Sequence, residues 1–319
     1  MKNTPGPPPT RPSELVRAAD RVSFLYLERC TVHRDGNAIT ATDERGVVHI
    51  PTATIGALLL GPGTRVTHQA MVLMAESGST AVWVGEQGVR YYAHGRPLGR
   101  TSRLLEAQAK AVSARDSRLA VARAMYAMRF PGEDVSGLTM QQLRGREGAR
   151  VRNSYREHAD RTGVEWVRRD YDPNDFTAGD AVNQALSAAT TCLYGMTHAV
   201  IAAMGCSPGL GFVHTGHDRS FVYDIADLYK AEVAIPVAFD IAAAGVDDIP
   251  GATRRSVRDV IHREKLLPRC AQDIKSLLLP GQSEEASEWE ADVVYLWDDK
   301  GPAVASGQSF DDPSEDVPW

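Results

Sequence analysis

The change in hydrophobic periodicity near residue 99 constrains this fold more than any other sequence feature. Between about residues 21 and 94, short runs of β-branched and aromatic residues alternate with turn residues, which predicts strands. The segment VTHQAMVLMAESG has helical spacing and ends in a glycine, so one helix interrupts the strands. Asp35-Gly36-Asn37 predicts a hairpin turn, and Pro62-Gly63 predicts a second turn.

Long helical patterns replace the strands after Gly95-Arg96-Pro97-Leu98-Gly99. The predicted helices span residues 102–129, 139–162, 178–204, 221–244 and 253–279. Because the strands all precede these helices, we expect an α+β fold without a parallel Rossmann sheet. In this fold an N-terminal β-rich domain, made of antiparallel strands with one helix, is followed by an all-α domain.

The expected domain boundaries follow the same changes in character. Residues 1–19 form a proline-rich leader that we expect to be disordered, and residues 20–99 form the β-rich domain. The helical domain covers residues 100–280. Residues 281–319 form an acidic tail that we expect to be flexible.

Composition predicts neither a membrane protein nor a secreted one. Hydrophobic residues make up 43% of the chain, but no apolar run reaches the roughly 18 residues of a membrane span. The leader lacks the apolar core of a secretory signal, and the four cysteines are scattered without zinc-site spacing. We therefore expect a soluble, cytoplasmic protein with reduced cysteines.

Charge is distributed unevenly along the chain. The net charge is −6, yet the tail from Gly281 onward carries eleven acidic residues against one lysine, a net of −10, which leaves +4 on residues 1–280. A modestly basic body with an acidic tail is compatible with nucleic-acid binding, although the overall charge alone argues against it.

The segment GFVHTGHDRSFVYDIADLYK, residues 211–230, carries the strongest chemical signal. Asp224 and Asp227 are three residues apart, so on a helix their carboxylates leave the same face, close enough to share a divalent cation. His214 precedes them in a loop, and one histidine with oxygen ligands suits Mg²⁺ or Mn²⁺ better than zinc. The alternative is a solvated helix face, but the apolar residues around both aspartates favour a packed surface.

A second cluster lies at residues 141–152, QQLRGREGARVR. It sets the carboxylate of Glu147 among arginines, which are Arg144, Arg146, Arg150 and Arg152. One interpretation is a salt-bridged helix surface. The other is a metal-binding carboxylate flanked by guanidinium groups that hold DNA phosphates.

Together these segments resemble a known family. The runs LRGREGARVR, RDYDPNDF, AVNQALSAATTCLYG and GFVHTGHDRSFVYDIADLYK, in this order, are similar to the Cas1 family of CRISPR-associated adaptation integrases in its subtype I-E form. The resemblance extends over about residues 20–280. It implies a β-domain for dimerisation and DNA contact, and a helical catalytic domain.

The resemblance also implies roles for individual residues. Glu147, His214 and Asp227 become metal ligands with Asp224 in the same acidic cluster, and Tyr194 becomes an active-site residue. Tyr171 is expected to hold the end of the incoming DNA, and Arg90 to meet the DNA backbone. Each tyrosine has an alternative as a core residue satisfied through its hydroxyl, and His217 is a weaker alternative ligand to His214.

The implied reaction is transesterification, in which prespacer 3′-hydroxyls attack leader–repeat DNA with the help of Mg²⁺ or Mn²⁺. The absence of a GxxxxGK[ST] phosphate loop agrees with a reaction that needs no ATP. The implied assembly is two homodimers bridged by a dimer of the small Cas2 protein. The alternatives are a general metal-dependent DNA endonuclease and a catalytically silent DNA-binding scaffold.

Overall fold

The structure of the chain is a computed structural model that describes residues 24–52, 55–77, 79–86, 90–95, 102–170 and 179–281. It also describes the backbone of two short strands at residues 295–296 and 304–305. The described residues up to Gly281 belong to one compact unit, and the two short strands belong to a second unit that begins at Gln282.

Eight short strands occupy the N-terminal part of the described chain. They are β1 (Phe24–Leu27), β2 (Thr31–Asp35), β3 (Ala38–Asp43), β4 (Gly46–Pro51), β5 (Ala57–Leu60), β6 (Arg65–Val66), β7 (Thr80–Val84) and β8 (Tyr91–His94). They form two four-stranded sheets with the orders β1-β5-β7-β8 and β4-β3-β2-β6. The interrupting helix, α1 (His68–Glu76), begins where the Thr67 side chain caps it, as its helical spacing predicts.

Strand direction is where the sequence prediction fails in part. The predicted hairpin is present, since β2 and β3 pair antiparallel around Gly36, whose φ of 59° suits glycine. Three pairs are parallel, however: β1 with β5, β5 with β7, and β2 with β6. The connection from β5 to β7 contains α1, and a crossover of that kind returns the chain in the same direction. The expectation of antiparallel strands is therefore confirmed for β2 with β3, β3 with β4 and β7 with β8, and is wrong for these three pairs.

The C-terminal part of the unit is helical, which confirms the fold class. Its helices are α2 (Arg103–Ser113), α3 (Arg115–Arg129), α4 (Met140–Thr162), α5 (Ala181–Ala203), α6 (Ser220–Asp227), α7 (Ile235–Ala244), α8 (Ile249–Arg263) and α9 (Leu266–Leu278). A capping box of Thr139 and Gln142 starts α4, and Gly163 in the left-handed conformation ends it.

Three helices predicted as continuous are interrupted. The stretch 102–129 breaks at Ala114, which is extended, and the Ser117 hydroxyl donates to the carbonyls of Ala111 and Ala114. The stretch 221–244 contains a π-helical turn at Lys230–Ala234, shortly before Pro236, which lacks an N–H. The stretch 253–279 turns at Lys265, which has a φ of 50°.

Helix α5 forms the centre of the core. It buries sixteen of its residues, and Leu193, Val200 and Ile201 are among those completely buried. Near its C-terminal end, Ala199 and Ala203 pack against residues of the first sheet such as Leu59 and Val82. By length and composition α5 resembles a membrane span, but 72% of its most apolar window is buried inside the protein, as in a core helix.

The second unit is described by two strands alone. Here β9 (Tyr295–Leu296) pairs antiparallel with β10 (Val304–Ala305). The predicted leader, residues 1–19, and the predicted boundary at residues 99 and 100 lie outside the described residues, so these domain assignments stay predictions.

Candidate active site

The loop between α5 and α6 carries His214, and the side chain of Asp224 on α6 is hydrogen-bonded to this loop. The Asp224 carboxylate is fully buried and accepts the backbone N–H groups of Phe212, Val213 and His214 at 2.5, 3.1 and 2.9 Å. Its Oδ1 also lies 2.7 Å from His214 Nδ1. We call residues 207–214 the histidine loop. Asp224 thus uses both oxygens to fix this loop and the imidazole on it.

The bond to Asp224 determines which nitrogen His214 offers. That hydrogen bond raises the pKa of His214, against the opposing effect of partial burial. With the Nδ1 proton donated to Asp224, the lone pair of a neutral ring lies on Nε2, which makes no hydrogen bond to the described residues. A histidine oriented by a carboxylate in this way is the usual arrangement of a metal-binding imidazole.

Asp227 ends α6 and points toward a different set of groups. Its side chain is only 12% exposed, and its Oδ1 lies 2.7 Å from Lys230 Nζ, the first residue of the π-helical turn. Lys230 Nζ also lies 3.4 Å from the Tyr194 hydroxyl of α5. Burial is the largest single effect on the pKa of Lys230 and lowers it, but the charges and hydrogen bonds of Asp227 and Tyr194 together outweigh burial, and the pKa is raised.

Glu147 on α4 is held by two residues of α3. Its Oε1 lies 2.6 Å from the Arg129 guanidinium, and its Oε2 accepts the Tyr126 hydroxyl at 2.7 Å. Burial and this bond to a carboxylate raise the pKa of Tyr126, so its hydroxyl stays protonated and donates to Glu147. Tyr126 and Arg129 are three residues apart, which places both on the same face of α3.

Arg129 links the two carboxylates. The nitrogen that contacts Glu147 lies 4.0 Å from Asp227 Oδ2, and the arginine side chain is only 11% exposed. Its guanidinium also lies 5.4 Å from the ring centre of Phe130. Two acidic side chains that would repel each other are therefore compensated by cations from the protein itself.

A cavity of about 520 Å³ joins these groups. Its lining includes Glu147, Asp227, Tyr194, Lys230 and Arg129, while His214 and Asp224 do not line it. Tyr223 bridges the two regions, because it lines the cavity and meets the His214 ring edge-on, with 5.7 Å between ring centres.

The structure therefore separates two aspartates that the sequence spacing places together. Asp227 faces the cavity, whereas the oxygens of Asp224 are taken up by the histidine loop. The three-residue spacing predicts neighbouring carboxylates but not the loop that folds over one of them. The shared cation expected between them is not favoured by this geometry.

The donor set suits a hard divalent cation, since carboxylate oxygens and one imidazole are ligands of Mg²⁺ and Mn²⁺. Asp227 Oδ1 is buried and accepts no hydrogen bond of normal geometry from the described residues, although Lys230 lies beside it. Within the described ranges, no three His, Cys, Asp or Glu side chains lie close enough to hold a metal ion. The types of donor atom therefore fit such an ion, but Glu147, Asp227 and His214 would have to move closer together to hold it, and Arg129 is a competing positive charge.

The predicted DNA-contacting residues are spread over the surface. Arg146 pairs with Glu133 at 3.7 Å, and Arg150 pairs with the same carboxylate, stacks on Phe130 and lines the cavity. Arg144 is exposed beside Met140. Arg90 is exposed just before β8 and does not line the cavity, and Tyr171 lies outside the described residues.

Sequence reasoning missed the residues that hold the site together. Lys230 could have been found from the sequence, because it follows Asp227 by three residues in the same segment. Arg129 and Tyr126 had no such signal, since about twenty positions separate them from Glu147. Their role depends on how α3 packs against α4.

Comparisons with known proteins identify the family. The chain matches the family model described as CRISPR associated protein Cas1 over residues 24–132 and 133–249. It is 52% identical over 302 residues to the CRISPR-associated endonuclease Cas1 of Clostridium sp. (strain SY8519), covering 94% of this chain and 99% of that protein. It is 42% identical over 308 residues to CRISPR-associated endonuclease Cas1 2 of Thermus thermophilus, covering 95% of this chain and 94% of that protein.

A solved structure gives the same answer. A TtCas1–DNA complex contains a chain that superposes on this one with a TM-score of 0.76 and 44% identity, over 82% of this chain and 98% of that chain. The chain therefore belongs to the Cas1 family of CRISPR-associated proteins, whose curated relatives are named endonucleases. The resemblance to the family is confirmed, and so is its fold.

Proposed function

We propose that this chain is a divalent-metal-dependent DNA integrase and endonuclease of CRISPR adaptation. The observation that supports it best is the pairing of Glu147 and Asp227 across Arg129 at a cavity that also contains Tyr194, Arg150 and Lys230. Two acidic groups among cations and a hydroxyl suit phosphate chemistry better than a purely structural ion pair. We also propose subtype I-E, on the motif resemblance over residues 20–280.

Glu147, Asp227 and His214 Nε2 are the proposed ligands of Mg²⁺ or Mn²⁺. When bound, such an ion lowers the energy of the charge that develops on a reacting phosphate. Asp224 is proposed to act as the group that orients His214, because its oxygens already accept four hydrogen bonds. His217 stays a weaker alternative, since its Nδ1 pairs with Asp218.

The reaction exchanges one phosphodiester bond for another. The prespacer 3′-oxygen bonds to phosphorus at the leader–repeat junction, and the bond from that phosphorus to the 3′-oxygen of the last leader nucleotide breaks, so the prespacer becomes joined to the 5′-phosphate of the repeat. The prespacer hydroxyl loses one proton and the departing leader oxygen takes up one. Because one phosphodiester replaces another, no external energy source is needed. If water replaces the 3′-hydroxyl, the same site cuts DNA, which is the endonuclease activity named for the relatives.

The chain's own side chains bind and orient the DNA in this scheme. Arg150 is proposed to leave Glu133 for a phosphate, with Arg144 and Arg146 gripping neighbouring phosphates along α4. Lys230 orients the Tyr194 hydroxyl beside the reacting strand. Arg90 is proposed to meet backbone phosphate on the β-rich side, and Tyr171 to hold the prespacer end.

The proposed partners follow from family membership. DNA is supported by the TtCas1–DNA complex, whose protein is 44% identical to this chain. A homodimer that joins with the small Cas2 protein is implied by the family resemblance, as is action in the cytoplasm.

A reconstituted reaction tests the proposal. The full chain is mixed with its Cas2 partner, a fluorescent prespacer and a supercoiled repeat-bearing plasmid, with and without Mn²⁺. We expect Mn²⁺-dependent transfer of the fluorophore to the plasmid, and its loss in Asp227→Ala and His214→Ala with circular dichroism unchanged. Wild-type transfer by either variant would contradict the metal-site assignment.

A general DNA endonuclease is the second candidate, favoured by the name that the curated relatives carry. The same assay separates the two activities. Nicked or linear plasmid without covalently attached fluorophore indicates cutting alone, whereas labelled plasmid indicates joining.

A further inference from the structure

We infer that Gln108 on α2 is a positioning residue for His214 and acts through the histidine loop. The inference rests on the proposed role of His214 as a metal ligand. Gln108 is the one buried residue of α2, is 0% exposed, and lies about one hundred positions before the loop in sequence. A buried amide is costly unless its donor and acceptor are both satisfied.

The Gln108 amide is fully used, and all its bonds go to the loop backbone. Its Nε2 donates to the carbonyl oxygens of Ser207 and Leu210 at 2.9 and 3.0 Å. Its Oε1 accepts the Ser207 N–H at 2.8 Å. One side chain therefore brackets the first four residues of the histidine loop.

Arg118 on α3 continues the bracket. Its Nε donates to the Phe212 carbonyl at 2.9 Å, and another guanidinium nitrogen donates to the Gly211 carbonyl at 3.0 Å. Asp224 then accepts the N–H groups of the last three loop residues. Because Pro208 accepts from the Phe221 N–H, the loop backbone is bonded nearly throughout.

Close packing leaves the loop little freedom. A Cβ added at Gly211 would lie 2.6 Å from the His214 carbonyl and 2.8 Å from the Ser220 backbone, so no larger residue fits there. A loop whose backbone is hydrogen-bonded along most of its length and packed against its own end presents the imidazole in one position. Gln108 fixes the start of the histidine loop, at Ser207 and Leu210, and does not line the cavity.

A substitution at Gln108 should therefore change the position of His214 without removing a contact to DNA. Gln108→Met keeps the volume but leaves two carbonyls and one N–H of the loop without their partner. We expect Mn²⁺ affinity, measured calorimetrically on the full chain without DNA, to fall about 10-fold or more, as for other residues that orient a ligand. The turnover number of integration falls with it, while the KM for prespacer stays unchanged.

Ser79→Ala is the matched control. Ser79 is also buried, and its hydroxyl donates to the backbone carbonyls of Thr52 and Ile55. These residues lie in the β-rich region, away from the histidine loop in sequence. The control should lose stability while keeping Mn²⁺ affinity and turnover. An equal loss of Mn²⁺ affinity in both variants would show a general effect of destabilisation and overturn the inference.

A spectroscopic readout separates this inference from the proposed function. In the metal-free chain the His214 Nδ1 proton bonded to Asp224 should give a downfield NMR signal, which Gln108→Met shifts or broadens and Ser79→Ala does not. An unchanged signal overturns the inference. If wild type gives this signal but binds no Mn²⁺, the proposed function fails instead. Should Gln108→Met not fold, Gln108→Asn, whose shorter side chain withdraws the same amide from the loop backbone, takes its place with the same criteria.

Discussion

The histidine loop and the carboxylate pair of Glu147 and Asp227 are held in opposite ways. The loop is fixed by hydrogen bonds from buried side chains to its backbone, chiefly from Gln108 and Asp224. The carboxylate pair is held by contacts between side chains, and two of these are ion pairs with Arg129 and Lys230. Backbone bonds cannot be exchanged without unfolding the loop, whereas side-chain ion pairs can be exchanged for an incoming ion or phosphate.

This difference predicts that the two regions fail differently when changed. Variants of the carboxylate pair should lose activity with only a modest loss of stability. Variants of the loop anchors should lose both.

Glu147→Gln should nearly abolish integration. It removes the charge that a metal ligand needs but keeps an acceptor for Tyr126. We expect turnover to fall by more than about 100-fold, beyond the loss typical of a residue that only orients a ligand. The free energy of unfolding in urea should fall by about 1–2 kcal/mol, because Glu147 loses its charge beside Arg129 while Arg129 keeps Asp227 as a second partner.

Glu157→Gln on the exposed side of the same helix is the control for that variant. It should integrate at the wild-type rate. Wild-type turnover by Glu147→Gln would contradict the assignment of Glu147 as a metal ligand.

Asp224→Asn should lower both stability and activity. The asparagine amide nitrogen cannot accept, so part of the set of four bonds to the histidine loop is lost in a fully buried place. We expect a loss of about 2–3 kcal/mol in unfolding free energy, with integration reduced about 10–100-fold. If Asp224→Asn loses activity at wild-type stability, Asp224 is a direct ligand and the contrast between the regions breaks.

Sequence alone predicted the helical part of this site better than its connections. The helix that carries Glu147 was predicted at residues 139–162 and is found at Met140–Thr162. The separation of Asp224 from Asp227 was not predicted, because the spacing on α6 says nothing about which carboxylate a distant loop covers. Gln108 lies about one hundred positions from its partners, a distance over which a single sequence carries no pairing signal.

The parallel strands escaped prediction for a similar reason. β-branched runs such as those of β5 and β7 indicate strands without direction, and direction depends on the connection between them. The break at Ala114 was missed because no glycine or proline marks it.

Arg129→Met tests whether the Arg129 guanidinium competes with a bound cation for Glu147 and Asp227. Without the guanidinium, Glu147 and Asp227 repel each other, and a bound cation relieves more repulsion than in wild type. The rise in melting temperature on adding Mn²⁺, followed by scanning fluorimetry, should exceed that of wild type by roughly 2–4 °C. An equal rise in both proteins would show that Arg129 does not compete with the ion.

Tyr126→Phe should have the smallest effect. It removes one hydrogen bond to Glu147 and leaves the Arg129 contact in place. We expect about 1 kcal/mol of lost stability in urea unfolding and a reduction of turnover smaller than in Asp224→Asn. Tyr92→Phe, at an exposed tyrosine of β8, should change neither. A larger loss of turnover in Tyr126→Phe than in Asp224→Asn would reverse the predicted order.

Anomalous diffraction from crystals grown with Mn²⁺ would locate the bound ion. We predict a manganese peak contacted by Glu147, Asp227 and His214 Nε2, with the Arg129 guanidinium moved away and the histidine loop unchanged. A peak bound by Asp224 with a rearranged loop, or no peak near Glu147 and Asp227, would contradict this prediction.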